Sequence, residues 1–110
     1  MKKEDRRDYS PTNIMNRAMI GYVNLGDESA KVKQVSCGYE HTVCILENGD
    51  LLSWGNNKNG QLGHGNQDES PLPKKIECNF KAEKVMCGAG YTIVQATNGK
   101  LYAFGDNRMG

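Results

Sequence analysis

Four cysteines and two histidines are the residues of this 110-residue chain whose types could support metal, redox or acid–base chemistry. The cysteines lie at positions 37, 44, 78 and 87, and no two of them form a C-x-x-C pair. Neither His41 nor His64 completes a familiar zinc-ligand spacing with them. Free cysteine is among the most buried residue types. We therefore predict small buried thiols, with disulfides or a structural zinc site as the alternatives.

Glu40 and His41 stand next to each other and could suggest acid–base catalysis. The sequence places no serine, cysteine or second carboxylate so as to complete a catalytic set. One interpretation of His41 is that it bonds a neighbouring backbone carbonyl and braces a turn. We predict that this chain has no catalytic residues, no metal site and no cofactor.

Glycines between positions 55 and 65 invite comparison with a phosphate-binding loop. Such a loop needs a helix immediately after it, and the Walker type ends in Gly-Lys-Ser/Thr. Here Gly60-Gln61-Leu62-Gly63 leads into a polar segment and then prolines. The glycines therefore predict tight turns in a loop.

The elements that would position these side chains are short strands separated by glycine turns. Val32–Cys37 and His41–Leu46 are predicted strands, and an Asn-Gly pair, the strongest short hairpin signal, joins the second to residues 51–54. Residues 92–96 and 101–104 repeat this hairpin, and a weak edge strand is predicted near 74–77. Several strands carry apolar residues at successive positions, so both sheet faces need cover. Trp54 and Phe104 are predicted to belong to the core.

An internal repeat organises the chain. Residues 31–60 align with residues 81–110 without a gap, and eleven of the thirty aligned pairs are identical. A period of about 40–50 residues of short strands and turns is typical of a propeller blade. We predict an N-terminal segment over 1–30, a complete repeat over 31–80 and a truncated second repeat over 81–110. Within 1–30, residues 11–20 could be either a short helix or the end of a preceding blade.

Composition excludes several classes of protein. The formal net charge is +1, which argues against broad electrostatic binding to nucleic acid. No apolar run is long enough to span a membrane. The N-terminus mixes acids and bases without an apolar stretch, so we expect no signal peptide and a cytoplasmic or nuclear location.

The motif V-x-x-V-S-C-G-Y-E-H-T, followed by N-G-x-L-x-x-W-G-x-N-x-x-G-Q-L-G-H-G, resembles the repeat of the regulator-of-chromosome-condensation family (RCC1-type). The resemblance covers one whole repeat and about thirty residues of the next. It implies an all-β fold of antiparallel four-stranded blades in a seven-bladed β-propeller, of which 110 residues hold about two. The second copy departs from the motif, with Ala89-Gly90-Tyr91 at the place of Tyr39-Glu40-His41.

The resemblance also implies a function. In exchange factors of this family such loops face a small GTPase, so Tyr39, Glu40 and His41 are the candidate partner-contact loop, and a Ran-like GTPase is the candidate partner. The alternatives are a substrate-recruiting propeller of a larger enzyme, such as a HECT-type ubiquitin ligase, and a non-functional gene fragment. Basic tails can help this family to bind chromatin, although residues 2–8 match no such motif. Because two blades leave apolar faces uncovered, we expect a fragment that self-associates in isolation.

Overall fold

The computed structural model describes residues 22–27 and 29–106, and these residues form two antiparallel β-sheets. The first sheet has the strand order β1-β2-β3-β4 and the second has the order β5-β6-β7. The strands are β1 (Val32–Cys37), β2 (His41–Leu46), β3 (Leu51–Gly55), β4 (Ser70–Lys75), β5 (Ala82–Cys87), β6 (Tyr91–Ala96) and β7 (Leu101–Gly105). The predicted all-β fold of consecutive blades is confirmed, with one four-stranded and one three-stranded sheet in the described residues.

The outer strand β4 differs from its prediction. It begins earlier than expected, at Ser70, and it includes both Pro71 and Pro73. The backbone pairs with β3 are made at Ser70, Lys74 and Lys75. The prolines lie between these pairs, so their missing N–H groups are tolerated on an edge strand.

Both Asn-Gly pairs form the predicted hairpin turns. Gly49 joins β2 to β3 with φ 92°, and Gly99 joins β6 to β7 with φ 89°. In each hairpin the glycine N–H donates to the carbonyl three residues earlier, that of Leu46 or Ala96, so the loop has three residues and ends in a glycine with positive φ, which glycine adopts without strain. The two repeats also share an irregularity. Strands β1 and β5 each have a register shift against the next strand, at the same position of the repeat.

Side chains of β1, rather than a continuous backbone ladder, join the two sheets. The Gln34 carboxamide donates to the Val85 carbonyl at 2.8 Å and accepts from the Val85 N–H at 3.1 Å. Ser36 Oγ accepts from the Cys87 N–H at 3.0 Å. These polar side chains thereby satisfy backbone groups on the edge of β5. The contacts repeatedly join a residue to the one 51 positions later, which is one repeat plus one residue.

The core lies between the two sheets. Phe104 is half-buried and packs against it as predicted, whereas Trp54 at the equivalent repeat position is also half-buried but does not belong to this cluster. Gly63, from the loop of the first repeat, lies against the Phe104 ring. The buried members of the core cluster are Val43, Ile45, Leu51, Ile76, Ala82, Val85 and Val94.

The prediction that the cysteines are buried is only partly correct. Cys44 is buried and Cys87 is half-buried, and burial raises the pKa of both thiols. Cys37 and Cys78, in contrast, are exposed. Cys87 is covered because β1 lies beside it, with its thiol donating to the Ser36 carbonyl at 3.4 Å. In the described residues no strand covers Cys37 in this way, and Cys78 lies in the connection between β4 and β5.

Some predictions fall outside the described residues. Whether residues 11–20 form a helix or a strand is one of them, and the division into 1–30, 31–80 and 81–110 stays a prediction. Across residues 22–27 and 29–106 there is no helix long and apolar enough to cross a membrane.

Candidate partner-contact site

The predicted contact residues lie where β1 turns into β2, but they do not share one environment. Tyr39 is 81% exposed and Glu40 is also exposed. His41 begins β2 and is only 3% exposed. Two of the three side chains therefore form a surface, and the third lies beneath it.

Three backbone hydrogen bonds hold this loop in place. The Gly38 N–H donates to the His41 carbonyl at 2.7 Å, and the Asn56 N–H donates to the Glu40 carbonyl at 2.8 Å. The Tyr39 N–H reaches the second sheet, with the Gly88 carbonyl at 3.4 Å. The exposed Tyr39 side chain therefore projects from a backbone held by both repeats.

The carboxylate of Glu40 is also positioned. Asn56 Nδ2 donates to Glu40 Oε1 at 3.0 Å. Asn56 itself is held by its Oδ1, which accepts from the Lys58 N–H at 2.7 Å. Glu40 thus presents a negative charge in a defined place, and its other oxygen can accept hydrogen bonds from a cationic partner group.

His41 links the loop to the second repeat. Its Nε2 lies 2.9 Å from Thr92 Oγ1, and the Thr92 hydroxyl donates to the Gln61 carbonyl at 2.8 Å. Since a threonine hydroxyl has one hydrogen, His41 Nε2 must be the donor in its pair. His41 Nδ1 is buried and has no hydrogen-bond partner in the described residues. Burial lowers the pKa of His41 and so favours the neutral ring, and a hydrogen bond with the Tyr91 backbone opposes this shift in part.

This geometry differs from the simpler interpretation of His41 as a brace on a neighbouring carbonyl. The ring lies against Gly38, where an added Cβ would come within 2.3 Å of His41 Cε1 and of the Gly88 carbonyl. Glycine at position 38 is therefore required for the close approach of the histidine ring and the second sheet. Sequence reasoning missed Thr92 as the partner.

In the second repeat Tyr91 takes the place of His41. Its ring lies against Gly88, where a Cβ would be 2.0 Å from Tyr91 Cζ. The Asp106 N–H donates to the Gly90 carbonyl at 2.7 Å, as Asn56 does to Glu40 in the first repeat. The backbone arrangement is thus repeated, but Ala89 and Gly90 offer neither the aromatic ring nor the carboxylate of the first loop.

The long loop between β3 and β4 is organised by a residue that the sequence analysis did not single out. Asn57 is 1% exposed. Its Nδ2 donates to the carbonyls of Asn66 and Asp68 at 3.0 and 2.9 Å, and its Oδ1 accepts from the Leu62 N–H at 2.9 Å. Glycines 60, 63 and 65 all have positive φ. Strand β4 follows the loop, which agrees with turns rather than a phosphate loop.

Ser53 and His64 form a pair that resembles a nucleophile and its base but cannot act as one. Ser53 Oγ lies 2.9 Å from His64 Nε2 and donates to the Leu62 carbonyl at 2.8 Å. Its proton is therefore directed away from the imidazole, and His64 Nε2 must be the donor. Ser53 is also fully buried, at 0% exposure. This pair supports the β3–β4 loop.

No group of three or more His, Cys, Asp or Glu side chains that could hold a metal ion occurs in the part of the chain that the structure describes.

Comparisons with known proteins agree with the repeat. Two models of the regulator of chromosome condensation (RCC1) repeat match residues 32–61 and 48–95. The Arabidopsis thaliana ultraviolet-B receptor UVR8 is 43% identical over 47 residues, which are 43% of this chain and 11% of the receptor. The Danio rerio E3 ubiquitin-protein ligase MYCBP2 is 39% identical over 51 residues, 46% of this chain and 1% of the ligase.

The fold is also similar to that of solved structures. Yeast RCC1 (Prp20), solved bound to Kap60, superimposes with a TM-score of 0.68 at 25% identity over 76% of this chain and 21% of that chain. A second structure of Prp20, from Saccharomyces cerevisiae, gives 0.70 at 23% identity over 77% and 22%. The chain spans about a fifth of Prp20, 11% of the ultraviolet-B receptor and 1% of the ubiquitin ligase. From the matched repeats and the propeller fold, the chain belongs to the regulator of chromosome condensation (RCC1) repeat family.

Proposed function

We propose that this chain contributes a protein-binding surface to an RCC1-type propeller, in which Tyr39 and Glu40 contact the partner and His41 positions them. The observation that carries the proposal is an 81% exposed tyrosine on a loop whose backbone is fixed by both repeats. Tyrosine supplies a large contact area with little loss of side-chain entropy, and it is enriched among residues that dominate binding energy. A prepositioned loop also lowers the cost of ordering on binding.

The partner that we propose is a small Ran-like GTPase. Prp20p from Saccharomyces cerevisiae, whose fold is similar, binds Gsp1p and histones. A fixed carboxylate such as that of Glu40 suits a lysine or arginine of the partner. Exchange would then work by differential binding: a propeller that prefers the nucleotide-free GTPase shifts the equilibrium toward nucleotide release. No covalent chemistry from this chain is needed.

Binding to an immobilised, nucleotide-free Ran-like GTPase tests the proposal. Tyr39→Ala should weaken binding about tenfold or more, the size of a moderate interface hot spot. Tyr22→Ala is the matched control, since Tyr22 is 74% exposed and does not belong to the β1–β2 loop. Glu40→Gln removes only the charge, and the exposed Glu47 gives the control Glu47→Gln. Equal effects of Tyr39→Ala and Tyr22→Ala would show that the loop is not the contact surface.

A second candidate is recruitment of a substrate to a larger enzyme, and the similarity to an E3 ubiquitin-protein ligase favours it. Here the same loop would bind a different protein, and the chemistry would come from another domain. Binding of the GTPase argues against this candidate, whereas loss of affinity for a ligase substrate in Tyr39→Ala supports it. Core histones in the same assay test chromatin binding. Both candidates place the protein in the cytoplasm or the nucleus.

A further inference from the structure

A cleft between the two repeats lies at the end of the sheets opposite the Tyr39 loop. It has a volume of about 460 Å³, which is within the usual range of ligand-binding cavities. One wall comes from the start of β3 and the end of β4, and the other comes from the turn between β6 and β7. The connection between β4 and β5 crosses the cleft between these walls. Both repeats therefore contribute to it.

Backbone hydrogen bonds hold the parts of the cleft together. The connection between β4 and β5 is tied to the first hairpin turn, because the Ala82 N–H donates to the Gly49 carbonyl at 2.9 Å. The Thr97 N–H donates to the Lys81 carbonyl at 2.9 Å, which ties the opposite wall to the same connection. The cleft is thus formed before any ligand binds, and this lowers the cost of ordering it on binding.

The two sides of a hairpin turn face different neighbours. In the first turn, Glu47 and Asn48 lie beside residues 29–31, which lead into their own repeat. Gly49, in contrast, contacts Lys81 of the next repeat. In the second turn it is likewise positions 97–98 that face the connection leading into their own repeat, and these positions line the cleft. All walls of the cleft therefore belong to the two described repeats.

The charged groups of the cleft leave one positive charge in excess. Lys81 Nζ lies 2.7 Å from Asp50 Oδ1, and Lys75 Nζ lies 3.7 Å from Asp50 Oδ2. The hydrogen bond from Lys81 lowers the pKa of Asp50, so this carboxylate stays ionised. Two ammonium groups thus share one carboxylate. Because each ammonium has three donors, donors remain for the oxygens of a further anionic group.

The base of the cleft is apolar. Leu51 and Ile76 are buried and line it, together with the half-buried Phe80. The Phe80 ring stacks on the Tyr102 ring with the centroids 3.9 Å apart, which fixes its orientation. The two lysines at the rim are exposed. An open cleft with an apolar base and a cationic rim suits one or two side chains of a docked segment better than a fully enclosed small molecule.

We propose that this cleft binds a peptide segment of a partner protein in which an aspartate or glutamate is adjacent to an aliphatic residue. The carboxylate accepts charge-assisted hydrogen bonds from Lys75 and Lys81, and the aliphatic side chain covers Leu51 and Phe80. Asn98 supplies a further donor, because its Oδ1 accepts from the backbone N–H of residue 100 at 2.9 Å and its Nδ2 is left to donate. This site is separate from the Tyr39 loop and does not depend on the partner of that loop.

NMR titration of the isotope-labelled intact chain with a capped Gly-Leu-Asp-Gly peptide tests the proposal. We expect saturable amide shifts at 50–51, 75–81 and 97–98 with up to about 10 mM peptide. The matched Gly-Leu-Asn-Gly peptide should bind about fivefold more weakly, since it lacks the charge that pairs with two exposed lysines. Inorganic phosphate serves as a simple anion for comparison. No shifts at these positions, or equal binding of the asparagine peptide or of phosphate, would overturn the proposal.

Two substitutions with opposite expected effects test the charge of the cleft. Lys75→Met removes one ammonium group but keeps an unbranched side chain, and it should weaken binding of the aspartate peptide about threefold. Asp50→Asn removes the competing carboxylate and should strengthen binding about threefold. Lys33→Met is the matched control, because Lys33 also pairs with a carboxylate, that of Glu83 at 3.3 Å, but does not line the cleft. Equal affinities of Lys75→Met and Lys33→Met, or no gain in Asp50→Asn, would contradict the proposal.

Discussion

The hydrogen-bonded chain from His41 through Thr92 to Gln61 should be a large contributor to the stability of the interface between the repeats. Thr92→Val removes the hydroxyl but keeps the shape of the side chain, and Thr92 is 0% exposed. The variant would leave the His41 Nε2–H and the Gln61 carbonyl without their partner. An unsatisfied buried polar group costs about 1–3 kcal/mol, and the new methyl group returns less than about 1 kcal/mol. We expect a loss of about 2–3 kcal/mol of unfolding free energy.

Urea denaturation followed by the fluorescence of Trp54, the chain's single tryptophan, measures this loss. Thr42→Val is the matched control because Thr42 occupies the same position in the first repeat. Among the described residues its hydroxyl forms one hydrogen bond, a long one to Cys37 Sγ at 3.8 Å. We expect a change of about 0.5 kcal/mol or less for this variant. Equal destabilisation by the two substitutions would refute the claim that the His41–Thr92 hydrogen bond stabilises the interface between the repeats.

Three further predictions concern stability and assembly. Burial lowers the pKa of His41 and His64 from the ordinary 6.5, so the unfolded chain binds protons more readily than the folded chain. The unfolding free energy should therefore have its full value above pH 6.5 and should decrease as the pH falls below 6.5. Urea midpoints across this range test the sign, and a midpoint that rises on acidification would contradict it. Gly49→Ala and Gly99→Ala should each cost about 1–2 kcal/mol for positive φ. Gly49→Ala should cost about 1 kcal/mol more because its Cβ meets Lys81, and equal thermal shifts would argue against that contact. The isolated chain should self-associate through Leu101 and Met86, which are 70% and 63% exposed; sedimentation velocity should show a shift toward monomer in Leu101→Lys with Met86→Lys, and no shift would place the association elsewhere.

Local signals in the sequence were sufficient for most of the fold. The Asn-Gly pairs predicted both hairpins because few residues tolerate the φ that such turns need. The bounds of β1 and β2 follow from glycine and the turn residues on either side. The start of β4 was not predicted, because the position of its prolines relative to the pairs with β3 depends on register, which a single strand does not reveal.

The candidate site was less accessible to sequence reasoning. The contacts of His41 with Thr92 and of Gln34 with Val85 join residues in different sheets, and they depend on how one blade is rotated against the next. The burial of Asn57 likewise depends on a loop that folds around one side chain. The sequence reveals only a period of fifty residues, whereas the spacing of 51 residues between these contacts is a property of how the two sheets pack.

Mapping of the bound surface by NMR, with the isotope-labelled chain titrated with a nucleotide-free Ran-like GTPase, tests the central claim most directly. The β1–β2 and β3–β4 loops lie at one end of the sheets, and the turns at 47–50 and 97–100 lie at the other. We predict that the largest amide shifts cluster on residues 38–40 and on 56–58, which hold Glu40 in place. Shifts concentrated on the turns at the opposite end, with the Tyr39 loop unaffected, would contradict the proposal that this loop binds the partner.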